Sequence, residues 1–410
     1  MTNTPMNFPR VDPKAVFLPN GKVLLVSGAG PEDYRDGELY DPNSGIWTNT
    51  GPMVTPRHLH TATLLQNGKV LVAGGYHSGW LADAELYDPA SNTWINTGSL
   101  NVARFEHTAT LLRDGRVLAT GGNTASAEIY DPNTGIWTNA PPMSYSRTYH
   151  VALLLPSGKV LVTGGYHNAG EINAAELYDP ATGVWTNTGV PNRIRQFFAG
   201  ILLPNGKVLV SGGNDSPNDS TAELYDPISE TWRYTGSMSS NRTEHTLTLL
   251  ANGKVLAAGG DGDRTSLSSS EVYDPNTGTW SAPIPLTTAR YEHTATLLPN
   301  GNVLVAGGDR LPYWDGGSGV ASTEIYNSSN VVVAPINLIN PITSAGGVFQ
   351  FSFTNTPDVS FNVYGTTNLL APLNNWRVMG GIAEISPGQY QYTDWQATNG
   401  GQCFYRVCFP

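Results

Sequence analysis

The sequence predicts an all-β chain: a seven-bladed β-propeller over residues 1–336, then a small Ig/fibronectin-like β-sandwich over 337–410. Three observations predict it. A stretch of the form Gly-Lys-Val-Leu-Val-Ala-Gly-Gly recurs seven times. Each recurrence sits among four short strand patterns separated by turn residues. The period stops near Val333, where shorter alternating stretches take over. Composition agrees with a folded, turn-rich chain. Of 410 residues 45 are Gly and 29 are Pro, and only 13% are charged, against about 25% in an ordinary soluble domain.

The elements follow in order within each unit. An alternating stretch such as His60–Leu65 reads as a strand with one face inward. Asn67-Gly68 is a strong hairpin turn. Val70-Leu71-Val72-Ala73 then reads as a strand buried on both faces. After the paired glycines comes a variable loop, then Ala84–Pro89 as a third strand ended by Asp-Pro. A Trp marks the fourth strand: Trp47, Trp94, Trp137, Trp185, Trp232 and Trp280. The first glycine of each pair falls at 28, 74, 121, 164, 212, 259 and 307. One such unit cannot cover both of its faces, so units must stack around an axis. The seventh unit has no Trp, and Val331-Val332-Val333 is the expected last strand. The ring is then expected to close by blade one packing on blade seven.

The double Gly, the Tyr of the third strand and the spaced Trp resemble Kelch repeats over about residues 10–336. The resemblance implies a propeller whose loops before strand one and after strand two open on one binding face. WD40 repeats fit less well, because periodic Gly-His and Trp-Asp pairs are missing. A propeller followed by a β-sandwich also resembles the order in galactose oxidase and similar enzymes. In blade four, Arg147-Thr148-Tyr149-His150 is similar to that family's segment supplying a Tyr and a His to copper. The family also needs a propeller Cys and a C-terminal His. Here no Cys precedes Cys403 and no His follows His293. A copper-radical oxidase is therefore not expected, and no cofactor or metal is.

Charge and length exclude other classes. Net charge is −11 with no basic run, a poor match to a phosphate backbone. No apolar window is long enough for a membrane span. The first residues lack an apolar signal segment, so the protein is expected in the cytoplasm, or outside the cell if a leader has been removed. A monomer is expected. Cys403 and Cys408 lie in a strand pattern, about 16 Å apart if extended. That exceeds disulfide reach, so they pair only if the chain bends.

Two residue sets map to the binding face. Arg57, Arg104, Arg147, Arg195, Arg242 and Arg290 each precede their first glycine by 17 residues. Around a funnel mouth they could grip a carboxylate or phosphate. The competing reading pairs each one with a Glu or carbonyl of a neighbouring blade. Three residues on stand His60, His107, His150, Phe198, His245 and His293, which read as core. Between the two rows stand Glu106, Tyr149, Phe197, Glu244 and Glu292. Glu106, Tyr149, Glu244 and Glu292 are the candidate acid–base groups.

The second set is the loops after the paired glycines, which differ between blades: Tyr76, His77 and Trp80, Tyr166 and His167, and Tyr313, Trp314 and Asp315. Rings beside carboxylates suit a sugar or a peptide. No metal-ligand spacing is present. The expected function is a non-catalytic module binding a glycan or a protein. The alternative is an isomerase or cyclase acting on a small anionic substrate in an Arg/Glu-lined funnel.

Overall fold

The computed structural model describes residues 3–30, 34–167, 170–213, 219–263, 265–310 and 319–328, and the backbone of seven strands beyond them. No helix occurs among these residues. Six of the repeat units fold into antiparallel sheets of at least four strands, in chain order from the axis outward. Blade two is typical: Thr61–Leu64, Val70–Ala73, Ala84–Asp88 and Thr93–Thr97. Blade seven contributes Thr294–Leu297, Val303–Ala306 and Thr323–Tyr326. Its expected fourth strand, Val331-Val332-Val333, lies outside the described residues.

Burial follows radial position. Every residue of the second strands is buried, as their unbroken apolar runs require. The inner strands are half-buried because one face meets the central channel. The outer strands of blades two and three bury one residue of five, the Trp. That Trp lies across from the third-strand Tyr in register, for example Tyr87 opposite Trp94, ring centroids 4.9 Å apart. The rings then reach the preceding blade: Tyr130 meets the Thr97 hydroxyl at 2.7 Å, and the Trp232 indole donates to the Gly189 carbonyl at 2.7 Å. Each core cluster therefore mixes two blades, as Leu24 and Val26 do with Val70, Val72 and Trp94.

Blade one does pack on blade seven, through Val23, Leu25 and Trp47 against Leu298, Leu304 and Ala306. The structure adds a second closure that sequence reasoning missed. The N-terminal segment runs along the third strand of blade seven. The Asn3 amide donates to the Thr323 carbonyl at 3.0 Å, and the Met6 amide to the Ala321 carbonyl at 2.9 Å. Met6 is buried in the blade one–blade seven cluster. In other blades the same bond is made by the chain leaving the outer strand, as from Met143 to Ala125 and from Met238 to Ser220. The front of the chain thus does for blade seven what each blade's own exit does elsewhere.

Beyond the propeller, Leu338–Thr343, Phe349–Thr354, Gln389–Asp394 and Ala383–Ser386 pair as one sheet. Arg377–Gly381, Asn362–Thr366 and Phe404–Cys408 pair as another. Cys403 and the faces of these sheets lie outside the described residues, so the sandwich and the cysteine pairing remain expectations.

Candidate functional site

Three layers cross the axis, set by three neighbouring positions in every repeat. The arginines form the first. They were expected around the mouth of the funnel; instead they lie inside the blades. All six are at most 2% exposed. Each reaches the carbonyl 17 residues on, as Arg147 Nη1 does to Gly164 at 2.6 Å. Each also pairs with a buried third-strand glutamate: Arg57 with Glu85 at 3.0 Å, Arg104 with Glu128 at 2.6 Å, Arg147 with Glu176 at 3.0 Å. Arg195 meets Glu223 at 3.1 Å, Arg242 meets Glu271 at 2.9 Å and Arg290 meets Glu324 at 2.9 Å. The partner belongs to the arginine's own blade, not to its neighbour. The same glutamates accept backbone amides, such as Val54 and Thr55 on Glu85. The carbonyl and glutamate partners occupy both terminal nitrogens; each Nε is buried without a hydrogen-bond partner, and a guanidinium so enclosed offers no face to an anion in the funnel.

A seventh arginine, Arg10, completes the layer, with Glu38 at 3.1 Å and the Ser27 carbonyl at 2.9 Å. Sequence counting missed it because Ser27 occupies the first-glycine slot of blade one, at φ 47°. Counted from Ser27, the interval is again 17. The glutamates were legible too, as the fixed Glu of Ala-Glu-Leu-Tyr-Asp.

The second layer lies two residues further on: Asp12, Leu59, Glu106, Tyr149, Phe197, Glu244 and Glu292. All seven adopt left-handed φ between 50 and 55°. Such strain at one repeated position marks a place held open by its surroundings. Neighbours join around the whole circle. Backbone amides of Asp12, Glu106, Glu244 and Glu292 donate to the carbonyls of Glu292, Leu59, Phe197 and Glu244. The Leu59 amide donates to Asp12 Oδ2 at 2.8 Å. Glu106 hydrogen-bonds Tyr149, whose ring lies 3.8 Å from that of Phe197. Lys14 pairs with Asp12. The result is a closed hoop around the axis. Asp12 and Leu59 were missed because blades one and two place different side chain types there.

The hoop divides two cavities. The inner chamber, about 590 Å³, is lined by inner-strand residues including Lys14, His60 and Thr61. The outer funnel, about 790 Å³, has a hoop floor and an aromatic wall of His58, Tyr76, Trp80, Phe105 and Tyr291. Trp80 packs tilted against Phe105 with ring centroids 5.1 Å apart, and Tyr76 against His58 at 5.5 Å. Asp261 adds a fifth carboxyl to Asp12, Glu106, Glu244 and Glu292. Among the described residues lining the funnel there is no Lys or Arg. Burial pushes Glu106 up to about 7 and Glu244 up to about 8. Glu292 moves the same way, through burial and then the charge of Glu244.

The third layer is the histidines. They are buried, and burial drives them far down, His150 and His245 to about 3. They are neutral at pH 7. Each of four places Nε2 on a hydroxyl of the preceding blade, such as His107 on Thr61 at 3.1 Å and His293 on Thr246 at 3.1 Å. His60 has neither ring nitrogen partnered, because Lys14 stands where blades two, three and six carry that Thr.

Of the loop residues, Tyr76 and Trp80 line the funnel; His77, Tyr166 and His167 do not. Tyr166–His167 instead pairs with Gly170–Glu171 as a small hairpin. Tyr313, Trp314 and Asp315 lie outside the described residues.

A family model described as Kelch motif matches residues 57–101, 198–239 and 248–282. The chain thus carries Kelch motifs on a seven-bladed propeller. No curated protein matches it. A solved structure of a fungal alcohol oxidase of the AA5 family, in complex with copper, is similar, with a TM-score of 0.71 and 18% identity. The match covers 99% of this chain and 96% of that one. At that identity the likeness establishes a shared fold. The described residues do not fit its metal. His150 Nε2 is held 3.0 Å from the Thr108 hydroxyl, and the Tyr149 hydroxyl is held by Glu106. Among the described residues no three His, Cys, Asp or Glu side chains stand together as a metal site.

Proposed function

We propose that the protein is a non-catalytic binding propeller whose ligand, a glycan or a side chain of a protein partner, seats in the outer funnel. One observation carries this reading: a cavity of about 790 Å³ joins an aromatic wall to a floor of hydrogen-bonding carboxyls. Withdrawal of the arginines removes the argument for an anionic ligand. A carboxyl-lined funnel favours a neutral or cationic one. The aromatic wall offers flat apolar faces, and the carboxyls offer acceptors for hydroxyl or ammonium donors.

The test is binding of labelled protein to glycan and protein panels, with Trp80→Ala and Tyr76→Ala alongside. Specific binding that both variants weaken about tenfold or more supports the funnel. Binding that survives both changes removes it as the site.

A second reading has its own support. Glu106 bonds Tyr149 and titrates near neutral pH, which suits a general acid–base group. Its substrate would be uncharged or cationic, not the anion first expected. Turnover of any funnel ligand, abolished by Glu106→Gln, would establish it.

A further inference from the structure

The aromatic wall and the acidic floor belong to one cavity, and together they narrow the ligand. Building on the proposed binding role, we infer that the group entering the funnel is an organic cation, an ammonium carried on an apolar or ring-shaped stem. The wall supplies what a stem and a cation both use. Trp80 is 51% exposed and Tyr76 38%, although both sit over a cavity where rings are normally covered. An ammonium over such ring faces gains about 0.5–2 kcal/mol, most when desolvated.

The floor supplies the charge. Glu292 and Glu244 are consecutive hoop positions, and Asp12 follows Glu292. Asp261 lines the same funnel, and its buried Oδ1 has no hydrogen-bond partner. The protein's own cation at this level is Lys14, which engages Asp12. Among the described residues no cation is paired with Glu244 or Glu292 where they face the funnel. Burial first, and then the charges of neighbouring acids, raises both above the usual carboxylate range, so the empty floor holds protons that an arriving ammonium would displace. A neutral sugar would use the wall and leave the cluster of acids without a counter-ion. An anion would bring further negative charge to that cluster and make its ionisation costlier.

Benzylamine, benzyl alcohol and benzoate share one ring and one size but differ in charge. Titration calorimetry on the full chain should rank benzylamine at least tenfold tighter than benzyl alcohol, with benzoate weakest. Added salt should weaken benzylamine alone. The double variant Glu244→Gln, Glu292→Gln should cut benzylamine affinity about tenfold or more, with its melting temperature checked, and leave benzyl alcohol unchanged. Trp80→Ala should weaken both probes. The cation inference is overturned if benzylamine binds no tighter than benzyl alcohol, fails to bind, or ignores the double variant. In the first and last cases, loss with Trp80→Ala keeps the funnel as a binding site. If benzylamine fails and no panel glycan or protein depends on Trp80, the binding role falls too.

Discussion

The arginine layer and the hoop lie two residues apart in every repeat, yet they obey opposite rules. The arginine layer holds one side chain type in all seven blades, always buried and always met by its own glutamate. The hoop keeps one backbone conformation in all seven blades and changes its side chain from Leu to Phe, Tyr, Asp or Glu. The first is therefore scaffold, where each copy must solve the same packing problem. The second is a set of slots on a fixed frame, free to vary because its side chains face cavities rather than neighbouring sheets.

Arg147→Ala gives the sharpest break between the two layers. It strands Glu176 without its cation, and breaking a buried pair costs about 3–5 kcal/mol. Chemical denaturation should show that loss; under about 1 kcal/mol would mean the layer is not scaffold. Met6→Ala tests whether the N-terminal segment does a blade's work. Emptying this buried site should cost about 2–5 kcal/mol, far more than a surface change near a terminus.

Gly121→Ala comes next. At φ 72° the added carbon would meet the Arg147 carbonyl at 2.6 Å and the His150 ring at 2.5 Å. A cost of about 1–3 kcal/mol is expected. Gly21→Ala, also at positive φ but with nothing within 4 Å, should cost less, and a reversal of that order in thermal melts would sink the argument.

The hoop should show the clearest pH dependence. The folded chain holds protons on Glu106 and Glu244 up to about 7 and about 8, where the ordinary value is 4.5. Their contribution is fully present below 4.5 and is lost as pH rises through those folded values. The melting temperature should thus decline from about pH 5 toward about pH 9. Glu244→Gln should flatten the decline and raise stability at neutral pH, because the amide stays neutral without taking up a proton. An unchanged slope would show that Glu244 titrates normally.

Much of the fold was legible because the repeat states it seven times. Strand order, full burial of the Val-Leu-Val-Ala strands and the Tyr–Trp pairing all follow from patterns within one unit. The arginine layer was half legible. Spacing placed the six residues but not their burial, since the deciding partners stand 24 to 34 residues away. Arg10 escaped because a serine sits in a glycine's slot. The candidate site was legible where blades repeat an acid, at Glu106, Glu244 and Glu292. It was hidden where they do not, at Leu59 and Asp12. The aromatic wall combines His58, Tyr76 and Phe105 from separate segments, and only the closed ring brings them together.

The hoop has a mechanical consequence. Its contacts run tangentially, each blade tied to the next, so widening the aperture would load every tie at once. A belt under such hoop tension keeps its bore while the strands around it breathe. Passage between funnel and chamber would need its side chains to turn, and at Asp12, Glu106, Tyr149 and Phe197 that turn would break a tie of the belt.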